Sequence, residues 1–460
     1  MSAVPSAAPK PASGGTLGTF FKFAERGTTL GTEARAGLTT FMVMAYIIFL
    51  NPIILTGGFK TADPAFTAAA LAAGTALIAG IMTIAMGVVA NYPLALAAGL
   101  GINGLVAYSL IGRGLTPAGT MGVIVLEGLA VTILVIVGFR EAVMNAVPLA
   151  LKKSIGVGIG LFILFIGFAN GGFVVASQAT PVTFHLPQTP ADFVFWFGLF
   201  ITAALWVLRV PAALVVSILV TTVIGLVAGV ASIPKDFVLT PSFSTLGHFD
   251  VTNVFSALGN PISAILVVFA IMLTDFFDTM GTVTGIAAEA GLAEQDGSVP
   301  GIGRVLIVDS LAAVAGGLGG VSSNTTYIES AAGVAEGGRT GFASVVTGLL
   351  FLLAIVLSPI AGIIPSQATA PALILVGYLM FTQVKGIDVT DVEDGFPALL
   401  TIILMPLAYD ITVGIGAGFI SWVAIKILKR KVGEIHPLMW VVSIGFMIFF
   451  LQDYIGTFIK

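Results

Sequence analysis

NYPLALAAGLGINGLVAYSL, residues 91–110, and SSNTTYIESAAGVAEGG, residues 322–338, are apolar enough to sit inside a membrane, yet short, glycine-rich and polar for that depth. A helix interrupted inside a bilayer exposes amides and carbonyls, which is tolerated only where protein or a water-filled cavity satisfies them. Glycine alone argues little, because small residues also let membrane helices pack closely. Asn103 in the first stretch, and Asn324, Thr325, Thr326 and Glu329 in the second, tip the reading towards a binding site walled by two broken segments.

The rest of the chain is built to cross a bilayer. Of its 460 residues, 57% are hydrophobic and 9% charged, against about 25% charged in a soluble domain. Apolar runs recur at 35–57, 65–90, 93–111, 118–139, 147–169, 191–208 and 211–231. After a polar stretch they resume at 258–282, 303–321, 324–337, 340–358, 370–384, 395–410 and 411–428. Most match a hydrocarbon layer of about 30 Å. The segment 437–451 is a further apolar run that either crosses again or lies along the surface. With the amino terminus inside, Lys22, Arg26, Arg35, Arg140, Lys152, Lys153, Arg209, Arg304, Arg339, Lys385, Lys426, Lys429, Arg430 and Lys431 fall on the cytoplasmic side. Lys60, Lys235 and Arg113 fall outside. An odd number of spans in each half inverts the second half relative to the first, an internal plan of many secondary transporters.

Several functions are excluded or unsupported. A net charge of -4 spread over short loops leaves no footprint for nucleic acid. The absence of cysteine removes disulfides, thiolate metal sites and cysteine nucleophiles. His185, His248 and His436 lie in loops, so neither a metal site nor a histidine proton relay is indicated. GIGRV and GGLGG follow no strand and open no soluble helix, so phosphate chemistry has no support. MSAVPSAAPKPASGGT at the start lacks the apolar core of a secretory signal and reads as a disordered tail. FFKFAER after it suits the membrane–water interface.

The acids at depth carry the chemistry. LTDFFDTMGT, residues 273–282, puts Asp275 and Asp278 on one helix face. Asp309 sits in VLIVDSLAAVAG and Glu329 in NTTYIESAAG. Each costs about 2.5–3.5 kcal/mol near the bilayer centre on a lenient insertion scale. No Lys or Arg lies deep in a span to pair with them, so some are protonated, or bind a cation or a hydrogen-bond-donating ligand. For Asp278 and Asp309 a capping or intramembrane hydrogen-bond role stands beside direct contact with substrate. Glu289, Glu294 and Asp296 read as a solvated loop.

FAERGTTLGTEARAGLTTFMVMAYIIFLNP, AAGLGING, LTDFFDTMGT, SSNTTYIESAAGVAEGGRTG and FPALLTIILMPLAYDITVGIGAGFISW together resemble the AzgA-like purine permeases, a branch of the nucleobase/cation symporters. The resemblance runs from Phe20 to Leu451. It implies an all-α polytopic protein with the 14-span uracil-permease fold: two inverted seven-span repeats, with half-helices and short extended stretches in spans 3 and 10. Residues 1–34 would be a tail and interfacial lead-in, 35–139 and 258–358 a core domain, and 147–231 and 370–428 a gate domain, with 437–456 an extra segment. By motif, Asn103, Asp275 and Glu329 match positions associated with purine binding, Asp278 one needed for transport, and Asp309 a ninth-span acid linked to function. The family imports adenine, guanine or hypoxanthine with protons. The expectation is therefore a multi-pass protein of the plasma (inner) membrane, not an enzyme, with H+ as coupling ion and no cofactor. A homodimer stays open.

These residues also suggest how a purine is held. Glu329, if ionised, can accept two N–H bonds, Asp275 another, and Thr326 lies beside them. Amides near Gly101 and Ser330 can face ring acceptors, and Phe276, Phe277 or Tyr46 can cover the ring. A proton taken in the Asp275/Asp278 pair, with Asp309 nearby, would couple transport. An anion transporter of the same fold is the first rival, since half-helix amino ends attract anions. An intramembrane aspartyl protease and a purely structural or channel role are the others.

Overall fold

The computed structural model describes residues 15–59, 63–138, 147–177, 180–233, 239–259, 261–294 and 299–459. Lys60, Arg140, Lys235 and Asp296, the first fourteen residues and the Phe277 side chain lie outside the described residues. A short helix α1 (Gly15–Phe21) leads into a first span made of two helices, α2 (Leu30–Met44) and α3 (Ile47–Gly58). The Thr29 hydroxyl caps α2 by accepting from Thr32 N at 3.3 Å. The span breaks at Ala45–Tyr46, where Ile48 N donates back only three residues, to Ala45 O.

The second span, α4 (Ala68–Ala85), widens into a π-helical turn over Met86–Ala90 and stops at Asn91, which takes the left-handed conformation (φ 55°). The third is the predicted interruption: strand β1 (Leu96–Ala98), then helix α5 (Leu100–Gly104) running on in π-helical form to Leu110. There follow α6 (Pro117–Ile136), α7 (Leu149–Asn170), a small hairpin β2 (Val174–Val175) and β3 (Thr183–Phe184), α8 (Pro190–Val207) and α9 (Ala213–Val227).

The second half repeats the series. A lead-in helix α10 (Val251–Ala257) precedes α11 (Pro261–Glu289), α12 (Ile302–Leu318), strand β4 (Asn324–Thr326) with the six-residue helix α13 (Ser330–Ala335), and α14 (Gly341–Ala354). Helices α15 (Ser366–Phe381), α16 (Val392–Ala408) and α17 (Ile411–Leu428) complete it. Nine helices among the described residues are long and apolar enough to cross a membrane. The remaining expected spans are the two interrupted ones and three helices of 15 to 17 residues.

The segment left open by sequence is a helix, α18 (Pro437–Ile459), that runs back along α17. Ser443 Oγ donates to Phe419 O at 3.2 Å, and Phe449 lies 4.8 Å beneath the Arg113 guanidinium near the start of α17.

Packing joins the halves. α14 lies against α2 and α4, α12 against α6, and α13 against α2. Separately, α7 packs on α15 and α16, α9 on α8 and α15, and α16 on α17. Bare backbones meet where α14 begins: a Cβ on Gly341 would fall 2.0 Å from Gly87 O, and one on Gly87 2.2 Å from Gly341 O. Only glycine allows that approach.

Candidate functional site

The two interrupted segments meet. β1 and β4 pair antiparallel, with Leu96 opposite Thr326, Ala97 opposite Thr325 and Ala98 opposite Asn324. Gly99 N donates to Ser323 O at 2.8 Å and Tyr327 N to Ala95 O at 2.9 Å, extending the ladder at both ends. A two-stranded ribbon has two bare edges, which lipid cannot satisfy, and side chains close them. Thr83 Oγ1 accepts from Leu96 N (2.9 Å) and donates to Leu96 O (3.0 Å). On the other edge Thr326 N donates to Asp309 Oδ1 at 3.1 Å. The Tyr327 hydroxyl donates to Ala98 O, and Ser330 Oγ accepts from Ala95 N at 2.9 Å. Asn51 Nδ2 secures the approach to β4 through Val321 O at 3.0 Å.

Around this ribbon stand the predicted acids. Thr279 of α11 donates to Asp309 Oδ2 at 2.7 Å and shares a hydrogen bond of the same length with Thr325. Ser323 Oγ lies 3.4 Å from Asp275 Oδ2. Asp278, one turn along α11 from Asp275, is within electrostatic reach of Asp309 and Glu329. The Tyr46 hydroxyl, from the break in the first span, donates to Glu329 Oε1 at 2.5 Å. Asp275 and Asp309 are 1% exposed and Tyr46 fully enclosed, while Glu329 and Asp278 keep partial exposure.

In the two interrupted segments, several polar atoms have no partner among the described residues. Both amide atoms of Asn103 and of Asn324, and the Thr326 hydroxyl, are buried and unbonded. An unsatisfied buried polar group costs about 1–3 kcal/mol. Such groups at a broken segment fit a ligand or ordered water.

The residues expected at the site therefore divide. Asp275, Asp278, Asp309, Thr326, Glu329 and Tyr46 belong to one cluster tied to the β1–β4 ribbon, and Asn103 lies in α5, which leaves it. The structure also shows what several of these groups already contact. Tyr46 donates to one Glu329 oxygen and takes one of its two acceptor positions, so the carboxylate can still accept at both oxygens. The amide of Ser330 faces no ligand: it donates to Tyr327 O at 3.1 Å, and the next two amides of α13 close onto Ile328 O and Glu329 O. Gly101 packs against α7, where a Cβ would lie 2.5 Å from Ile159. Phe276 is buried in the hydrophobic core. Tyr327, Thr279 and Thr83 were missed, since a tyrosine or threonine in an apolar run reads as packing. A cavity of about 340 Å³ lies elsewhere, lined by Ile53, Thr56, Asn170, Ile364 and Ser366, and none of the acids lines it.

Comparison with known proteins places this architecture. The transmembrane domain of a cyanobacterial bicarbonate transporter, BicA, superposes with a TM-score of 0.63 at 14% identity, covering 84% of this chain and 97% of that one. The transporter SLC26A9 gives 0.61 at 10% identity over 87% and 65%. The likeness shows the expected fold. Guanine/hypoxanthine permease PbuG of Bacillus subtilis is 38% identical over 94% of this chain and 99% of its own length. Adenine permease AdeP of Escherichia coli is 38% identical over 94% and 96%. Residues 31–417 match the family model described as Permease family. With its multi-pass architecture and these relatives, the chain belongs to that permease family, in the branch of the AzgA-like purine permeases.

Proposed function

We propose that this protein imports adenine, guanine and/or hypoxanthine by proton symport, through alternating access, in the plasma (inner) membrane with its amino terminus cytoplasmic. The observation that carries the reading is the pairing of the two interrupted segments, each with an unbonded buried carboxamide, beside the acids tied to the β1–β4 ribbon. A purine is flat and edged with N–H donors and ring-nitrogen acceptors. Glu329 Oε2 and Asp275 supply acceptors, and the Asn103 amide supplies both a donor and an acceptor. Hydrogen bonds to a charged group contribute about 1.5–3 kcal/mol each.

Asp275 and Asp278 are the proposed proton carriers. Asp309 serves as a brace, because both its oxygens hold neighbouring elements. A proton crossing contributes about 2.3 kcal/mol per 100 mV, enough for about 50-fold accumulation of a neutral solute. The moving unit is the core, comprising spans 1–4 and 8–11. It slides against a gate of spans 5–7 and 12–14, a division supported by the two separate packing sets. The structural neighbours include an anion transporter by title, but carboxylates at the centre of the site repel that substrate class.

Uptake of labelled hypoxanthine into cells lacking other purine carriers tests this. Uptake should be saturable, abolished by a protonophore and competed by other purines. Glu329→Ala should raise the half-saturating concentration at least tenfold with normal delivery to the membrane. Uptake indifferent to the protonophore refutes the coupling, and normal affinity in Glu329→Ala refutes the site.

A further inference from the structure

We propose that Tyr46 is a positioning residue that fixes how the Glu329 carboxylate presents its two oxygens, and so tunes which purine the site prefers. This rests on the purine reading above. Tyr46 sits at the one break in the first span, fully enclosed, with its ring held by the core and its hydroxyl on Glu329 Oε1 at 2.5 Å. The two residues are 283 positions apart, so the contact joins the first span to the tenth.

Glu329 precedes α13, whose first amides are already bonded to backbone carbonyls. Its carboxylate is held by its own amide and, from across the molecule, by the Tyr46 phenol. The phenol takes one of the two acceptor positions of Oε1 and crowds the other, so a ligand N–H is received best at Oε2. Hypoxanthine offers a ring N–H beside a C–H, which one oxygen satisfies. Guanine offers a ring N–H beside an exocyclic amine, a pair suited to both oxygens of a carboxylate. The tyrosine hydroxyl thus favours the purine with the single donor, and its removal relieves the crowding at Oε1 for the other.

Tyr46→Phe deletes one oxygen atom and keeps the ring that the core packs against. Uptake of labelled hypoxanthine and its inhibition by guanine are measured in the wild type and in Tyr46→Phe at matched membrane levels. The expected result is a hypoxanthine KM raised about tenfold with the maximal rate within twofold. The affinity ratio of guanine to hypoxanthine should rise at least threefold. A merely structural role lowers the maximal rate, or weakens both purines equally, and either outcome overturns the proposal, as does an unchanged KM or a ratio moving towards hypoxanthine. A wild type that takes up no purine overturns the purine reading, and this role with it. Normal wild-type uptake with an unmoved ratio in Tyr46→Phe overturns this role alone.

Discussion

Glu33 is as deeply enclosed as Asp275, yet its carboxylate is spent on structure. It accepts from Arg339 N at 2.8 Å, Thr340 N at 3.3 Å and Ala343 N at 3.2 Å, and so closes the amino end of α14, where the helix dipole also favours an anion. Glu33→Ala strands those amides and should cost about 3 kcal/mol or more, while Glu33→Gln, which keeps an acceptor, costs less. Thermal unfolding in detergent checks the ranking. An equal effect of both variants would mean that charge alone matters there. At this scale the sequence reading located Asp275, Asp278, Asp309 and Glu329, because an acid in an apolar run is conspicuous whatever the fold. It did not see that Tyr46 bonds Glu329, since that depends on a contact between residues 283 positions apart.

Among elements, the crossing of α4 and α14 depends on absent side chains. Gly341→Ala forces a Cβ to within 2.0 Å of Gly87 O, with backbone on both sides and nothing to yield. It should cost about 3 kcal/mol or more, beyond ordinary overpacking. Gly112→Ala, with open space around it, should leave the melting temperature unchanged. Comparing the two in detergent separates crowding from any general effect of alanine. The interrupted third and tenth segments were legible because glycine, asparagine and threonine replace the expected apolar run. The break at Ala45–Tyr46 was not, because Leu30–Gly58 reads as one continuous apolar stretch, and its internal proline, Pro52, lies six residues further on. Likewise the amides of α13 were expected to be open, but a helix of six residues spends its first ones in tight three-residue turns.

Over the whole molecule, the seven-plus-seven plan was readable because each span is a local property of about 20 residues. How the two packing sets are fastened together was not. Arg113, just past the π-helical continuation of α5, binds Asp410 Oδ2 at 2.6 Å, and Ser109 Oγ donates to Tyr409 O at 3.1 Å. Tyr409 also meets the rings of Tyr108, Phe162 and Phe165. The Arg113 and Asp410 side chains are 23% and 13% exposed, so solvent screens the pair and breaking it should cost about 2 kcal/mol rather than the full value of a buried bridge. Arg113→Ala and Asp410→Asn should each lower the melting temperature, and the double variant should lose no more than the larger single loss, the signature of one shared interaction. Strict additivity would show that the two do not act together.

The account depends on a purine lying where the broken segments meet, and equilibrium binding to the purified protein tests this without the complications of transport. One labelled hypoxanthine should bind per chain, displaced by guanine and adenine but not by bicarbonate or sulfate, and Asn103→Ala together with Glu329→Ala should abolish it in folded protein. Undiminished binding in that double variant, or displacement by bicarbonate in place of purines, would contradict it.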